Sequence, residues 1–76
     1  MPSYTYGEFR QVLQRIGFEL LRSRKHETWR KILPDGSILV VRVSHQHGRD
    51  IDRNLFYRML RQAAMTETEF ARILRG

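Results

Sequence analysis

The sequence contains no cysteine and only two prolines, and its longest aliphatic run covers just residues 38–41. Without cysteine, a disulfide framework and a thiolate metal site are both excluded, so nothing in the chain demands an oxidising compartment. The aliphatic run is far shorter than the roughly 18 residues that a membrane-spanning helix needs. The first residues also lack the basic start and apolar stretch of a signal peptide. We therefore expect a cytoplasmic protein.

Acidic residues are scarce relative to basic ones: 8 against 14, which gives a net charge of +6 over 76 residues. All of the basic residues except Lys25 and Lys31 are arginine, whose planar guanidinium matches the geometry of phosphate. This excess favours nucleic acid among polyanionic partners, although small domains also need net charge for solubility. No linker or repeat interrupts the chain, so we expect one domain spanning residues 1–76.

The beginning of the chain has the pattern of a helix. Thr5 and Glu8 have the spacing of a capping box, in which each satisfies a backbone N–H of the first turn. Apolar residues then recur at positions 9, 12, 13 and 16, which form one stripe along a helix. Gly17 follows, where a left-handed helix end favours glycine. The pattern predicts a helix of about three turns.

The middle of the chain has the length and composition of strands, at residues 18–22, 27–33 and 38–43. Residues 34–37 form a turn on chemical grounds, since Pro34 presets φ and Gly36 accepts a positive φ. A second helix follows, capped by Asp50 or Asp52, and then a short third helix whose Thr66 starts another capping box. These elements predict an α+β fold, α-β-β-β-α with a short extra C-terminal helix. We expect a three-stranded antiparallel sheet with helices on one face, leaving the other face for a partner.

His26 is the residue most suited to catalysis. Along an extended strand it shares a face with Thr28 and Arg30, whereas Glu27, Trp29 and Lys31 lie on the other face. An imidazole beside a guanidinium suits phosphodiester cleavage, because imidazole transfers protons near neutral pH and guanidinium stabilises charge on the phosphoryl group. The alternative is that His26 is simply a polar residue at a strand edge.

Two other groups carry weaker signals. His45 and His47 lie near Asp50 and Asp52, but an extended loop points alternate side chains to opposite sides and provides no rigid ligand set. We therefore predict no metal and no cofactor. Trp29 lies among arginines, and its ring suits either base stacking or the core, because alternation does not say which sheet face is covered.

Several short segments follow one another in an order that resembles the HicA (YcfA-like) toxin family. They run from Gly7 to Phe70, and no one of them is specific alone. The segments are Gly17-Phe18-Glu19-Leu20 after a helix, His26 in a basic stretch, Trp29-Arg30, the Pro34-Asp35-Gly36 turn, His47 before Arg49-Asp50-Ile51, Leu60-Arg61-Gln62-Ala63, and Thr66-Glu67-Thr68-Glu69-Phe70.

The resemblance implies a fold like that of double-stranded-RNA-binding domains and the activity of an mRNA interferase. Such a protein is the toxin of a type II toxin–antitoxin system, neutralised by a cognate HicB-type antitoxin. The family's catalytic histidine corresponds to His26, and Glu27 stands where the family has a second histidine.

We accordingly predict a metal-independent endoribonuclease that cleaves single-stranded mRNA, with His26 as general acid/base. The predicted phosphate-binding residues are Arg24, Lys25, Arg30 and Lys31, with Trp29 as a base-stacking candidate. Two alternatives belong to other classes: a non-catalytic RNA-binding module of the same fold, and an interaction protein whose open sheet face or strand edge takes a partner chain.

Overall fold

A computed structural model of the chain describes residues 3–24, 26–45 and 48–76, with only the backbone for residues 22 and 23. Three helices and three strands follow the predicted order α-β-β-β-α-α. They are α1 (Tyr6–Arg15), β1 (Glu19–Ser23), β2 (His26–Ile32), β3 (Ile38–Ser44), α2 (Arg53–Gln62) and α3 (Glu67–Arg75).

The strands form one antiparallel meander in the order β1-β2-β3. In the β2–β3 hairpin, Trp29 lies opposite Val41, Thr28 opposite Arg42 and His26 opposite Ser44. The β1–β2 pairing shifts register between residues 20 and 22, so an extra residue interrupts the ladder there. The predicted small α+β fold with a three-stranded antiparallel sheet is therefore confirmed.

One face of the sheet is covered by the core and the other is open. Trp29, Val41 and Val43 are buried, whereas their strand neighbours Val40 and Arg42 are exposed. Because successive strand residues point to opposite faces, this alternation gives the sheet one inner face, toward the helices, and one outer face. We call the outer face, which contains His26, Arg42 and Val40, the open face.

Aromatic rings fill the space between the helices. Phe70 lies within 5.2 Å, centroid to centroid, of both Phe9 and Phe56. The ring of Tyr4 joins them at 4.8 Å from Phe70, because Ile51 N–H donates to the carbonyl of Tyr4 (2.8 Å) and holds the N-terminal segment in place. Such tilted and edge-to-face pairs are the favoured arrangements of aromatic rings.

The predicted helix boundaries are set by local chemistry. Thr5 with Glu8 and Thr66 with Glu69 both form complete capping boxes. Of the two aspartates considered for α2, Asp52 is the cap and accepts from two backbone N–H groups. Gly17 has φ +96°, in the left-handed region that glycine adopts without strain, so α1 ends where the sequence predicts.

The two edges of the sheet differ. At β3, the backbone N–H of Arg42 donates to the side-chain oxygen of Gln62 at the end of α2 (3.3 Å). The opposite edge is formed by β1, which carries the register shift and the exposed side chains of Leu20 and Leu21. Among the described residues, no helix is both long enough and apolar enough to cross a membrane.

Candidate functional site

His26 is the first residue of β2 and lies on the open face, exposed to solvent. Its position on this face follows from the burial of the next residue, Glu27, on the inner face. Ser44, the last residue of β3, lies directly opposite His26. The imidazole is therefore available at one end of the sheet, where a substrate can reach it without entering a cavity.

Arg30 shares the open face with His26, as predicted, but it is held by another partner. Its Nη2 donates to Oε1 of Glu19 on β1 (3.0 Å), and its Nε is shielded from solvent with no hydrogen-bond partner among the described residues. Four residues along a strand separate two Cα atoms by about 13 Å. Arg30 therefore lies far from His26 along the strand, and its guanidinium is bound by Glu19.

Arg42 is nearer to His26, and the sequence interpretation missed it. It lies opposite Thr28, one step diagonally across the hairpin from His26, and its side chain is exposed. Diagonal neighbours on a sheet lie about 7–8 Å apart, within reach of a long side chain. The signal was present in the sequence, because Arg42 alternates with the apolar Val41 and Val43 after a recognisable turn.

The basic residues at the start of β2 are only partly described. Arg24, just before the strand, is exposed and belongs to the same end of the sheet as His26. Lys25, the other predicted phosphate ligand in this stretch, lies outside the described residues. Within the part of the chain that the structure describes, Arg24 and Arg42 therefore flank His26, and neither forms an ion pair with a carboxylate there.

Two predicted site residues lie on the inner face instead. Lys31 pairs with Leu39, and its Cε approaches Gly17 at the end of α1. Trp29 is 3% exposed, and its indole N–H donates to Oε1 of Glu27 (3.0 Å). Since a ring enclosed on the inner face offers no surface to a base, base stacking by Trp29 is corrected to the core alternative. Lys31 likewise does not share a face with His26.

Behind the candidate site lies a largely buried ion pair that the sequence did not reveal. Nε of Arg10, on α1, donates to Oε1 of Glu27 (2.7 Å), and the two side chains are only 11% and 10% exposed. Nη2 of Arg10 also donates to the backbone carbonyl of Ser44. Arg10 thereby contacts the start of β2 and the end of β3, which pair with each other at His26 and Ser44. Spacing could not show this contact, because Arg10 is 17 residues from Glu27 in the chain.

The protonation of Glu27 follows from these contacts. Burial by itself raises the pKa of the Glu27 carboxyl, but hydrogen bonds from Arg10 and Trp29 outweigh it, with smaller electrostatic contributions from Arg10 and His45. The net effect holds the pKa of Glu27 below its ordinary value. Glu27 is therefore an ionised carboxylate whose negative charge is neutralised inside the fold.

Of the other two histidines, the structure describes His45. His45 follows β3 and is half-buried, and its Nε2 is shielded from solvent without a hydrogen-bond partner among the described residues. His47 lies outside those residues. Within the described ranges, no group of three or more histidine, aspartate or glutamate side chains is arranged to hold a metal ion.

The open face divides into two chemically different halves. The half near His26 carries Arg42, whereas the half near the β2–β3 turn carries the cross-strand pair Ile32 and Ile38, which are 57% and 54% exposed, with Val40 beside them.

A separate cleft of about 140 Å³ beside α2 is lined by Tyr4, Phe56 and other residues, and it contains none of the predicted site residues. The candidate site is thus an open surface, which suits a polymer better than a small molecule.

No family model matches the chain, and no curated protein matches it significantly. The resemblance to the HicA family therefore rests on the order of the short segments in the sequence.

Proposed function

We propose that this protein is an endoribonuclease of the HicA type, the toxin of a type II toxin–antitoxin pair, with a fold like that of double-stranded-RNA-binding domains. The observation that carries the proposal is the exposure of His26 on the open face of the sheet, one diagonal step from Arg42. In this proposal the substrate is single-stranded mRNA, no metal takes part, and a HicB-type antitoxin neutralises the protein.

The chemistry requires a proton transfer at one phosphodiester bond. His26 acts as the general acid/base: its imidazole accepts the proton of the 2′-hydroxyl as that oxygen attacks phosphorus, or donates a proton to the departing 5′-oxygen. A neutral-range pKa is what either role needs, and histidine is the side chain whose unperturbed pKa supplies it. Because His26 is exposed, both oxygens of a bound strand can approach it.

Charge on the phosphoryl group needs a cation that is close and not already neutralised. Arg42 and Arg24 meet this requirement better than Arg30, whose guanidinium is paired with Glu19. A guanidinium can contact two phosphate oxygens at once, which stabilises the charge that accumulates as the bond breaks. We therefore assign phosphate binding chiefly to Arg24 and Arg42, with Lys25 next to Arg24 in the chain.

The test is a time course of single-stranded RNA cleavage in EDTA with wild-type protein and His26→Ala. Loss of general acid–base catalysis should slow cleavage by about 10²–10⁴-fold. Arg58→Ala, which removes an exposed arginine from α2, is the matched surface variant and should cleave at nearly the wild-type rate. All three proteins should have the same circular dichroism, because a folding defect would mimic a catalytic one.

A second candidate is a non-catalytic RNA-binding module. It is favoured by one observation: of the predicted phosphate ligands, Arg30 is paired with Glu19 and Lys31 is on the inner face, so neither stands beside His26. RNA binding without cleavage, unchanged in His26→Ala, would support this candidate and refute the nuclease. Cleavage by His26→Ala at the wild-type rate would also refute the assignment of His26.

A further inference from the structure

A side chain of α1 reaches the end of the sheet that carries His26. Arg10 donates from Nε to the Glu27 carboxylate on β2 and from Nη2 to the Ser44 carbonyl on β3. Glu27 is the residue after His26, and Ser44 is the residue opposite it. One guanidinium thus contacts the two residues that adjoin His26, one through its side chain and the other through its backbone carbonyl.

We propose that Arg10 is a positioning residue for His26: through Glu27 and Ser44 it fixes the ends of β2 and β3 and so holds the imidazole in its reactive place. This inference rests on the proposed function of His26. Arg10 acts from the inner side of the sheet, where it is 11% exposed, so it reaches His26 through the two strands and not through the substrate.

Burial makes this contact more restrictive than a surface ion pair. A carboxylate taken out of water is costly unless it is paired and hydrogen-bonded, so Glu27 strongly favours the one arrangement in which Arg10 reaches it. The indole N–H of Trp29 donates to the same oxygen and keeps the carboxylate from turning away. Local opening is easiest where few buried contacts hold the backbone, so loss of this contact should loosen the first residues of β2.

A matched arginine on the same helix separates positioning from general stability. Nη1 of Arg15 donates to the carbonyls of Ile73 (2.6 Å) and Leu74 (2.8 Å), so it ties α1 to the end of α3. Arg15→Met and Arg10→Met each remove one positive charge and hydrogen bonds that α1 makes to another element; Arg15 is exposed and Arg10 is largely buried, and of the two only Arg10 adjoins the strands that hold His26. The conservative variant Arg10→Lys keeps a cation for Glu27 but cannot bridge both acceptors in the same way.

The experiment measures kcat and KM for cleavage of a single-stranded RNA oligonucleotide by these variants. We expect Arg10→Met to lower kcat by about 10- to 100-fold with KM within about threefold, since misplacing a catalytic group by 1 Å can cost 10²-fold. Arg10→Lys should recover part of kcat, and Arg15→Met should keep both constants. Wild-type kcat in both Arg10 variants, or an equal loss of kcat in Arg15→Met, would overturn the inference.

Amide hydrogen exchange provides a readout that does not depend on activity. Residues 26–28 and 42–44 should exchange faster in Arg10→Met or Arg10→Lys than in wild type, and not in Arg15→Met. Unchanged exchange there in a folded Arg10→Lys protein would refute the inference even if Arg10→Met fails to fold. A wild-type protein that binds RNA without cleaving it would instead refute the proposed function, so the two failures are distinguishable.

Discussion

At the scale of single residues, Glu27 occupies the most demanding position described in this fold. Its carboxylate lies on the inner face among core residues and accepts hydrogen bonds from Arg10 and Trp29 on the same oxygen. In the proposed HicA-type assignment, Glu27 stands at a position where a second histidine is expected. A carboxylate there changes the role of the position, because an inner-face ion pair with α1 serves the placement of the strand and not contact with substrate.

The lowered pKa of Glu27 predicts acid sensitivity. Because the folded state holds the pKa below the unfolded value, the unfolded chain binds more protons in mildly acid solution. The stabilisation is complete above the unfolded pKa, near 4.5, and is lost as pH falls through the lower folded pKa. Urea unfolding from pH 7 to pH 3 should therefore show a falling free energy of unfolding.

Glu27→Gln isolates this contribution from that of other carboxyls. Hydrogen bonds also lower the pKa of Asp35 and of Glu69, so some acid sensitivity should remain in the variant. We expect Glu27→Gln to be less stable than wild type at pH 7 and to lose less of its stability between pH 5 and pH 3. A variant whose stability falls as steeply as that of wild type would contradict the assignment.

At the scale of elements, α3 depends on its capping box. Thr66 accepts from the N–H of Glu69 (3.1 Å), and the Glu69 carboxylate accepts from the N–H of Thr66 (2.9 Å). Thr66→Ala should lower the free energy of unfolding by about 1 kcal/mol, the usual cost of losing an N-cap. Thr68→Ala, two residues further in the same turn and exposed, should change it by less than about 0.5 kcal/mol. Equal effects in urea denaturation would refute the capping role.

Much of the element order could be predicted because it is encoded locally. Capping boxes, a glycine with positive φ after α1 and the turn at residues 34–37 all act within a few residues, so the sequence indicates them directly. Strand boundaries differ by about one residue, since β2 begins at His26 and β3 extends to Ser44. His26 and Ser44 belong to the strands because they pair with each other. This pairing is a contact between two strands, and neither segment indicates it alone.

The site was less predictable, because it depends on contacts between elements that are distant in the sequence. Alternation correctly put His26 and Arg30 on one face, but it could not tell that Glu19 holds Arg30 or that the face of Trp29 is the covered one. Arg42 could have been found by extending the hairpin register from the turn. The contact of Arg10 with Glu27 and Ser44 could not, because it depends on how α1 packs across the sheet.

At the scale of the whole molecule, the net charge of +6 predicts salt-sensitive RNA binding. Each phosphate that the protein neutralises should contribute about −0.7 to the slope of log affinity against log salt concentration for a single strand. Arg42→Gln should therefore make the slope shallower by about 0.7 in a fluorescence-anisotropy titration, if Arg42 contacts one phosphate as proposed. Arg58→Gln on α2 should leave the slope nearly unchanged, and equal slopes for wild type and Arg42→Gln would argue against this face as the RNA site.

The contact of Gln62 with the β3 edge of the sheet also limits how copies of this protein can assemble. Gln62 occupies an outward N–H of β3, so a strand adding in register at that edge would have to displace it. Strand addition is left to the opposite edge, formed by β1. Pairing through one edge alone is self-complementary and closes after two chains, whereas a filament needs two complementary edges. By holding this N–H, the side chain that ends α2 disfavours strand addition at one of the two edges and so disfavours open-ended growth of the sheet.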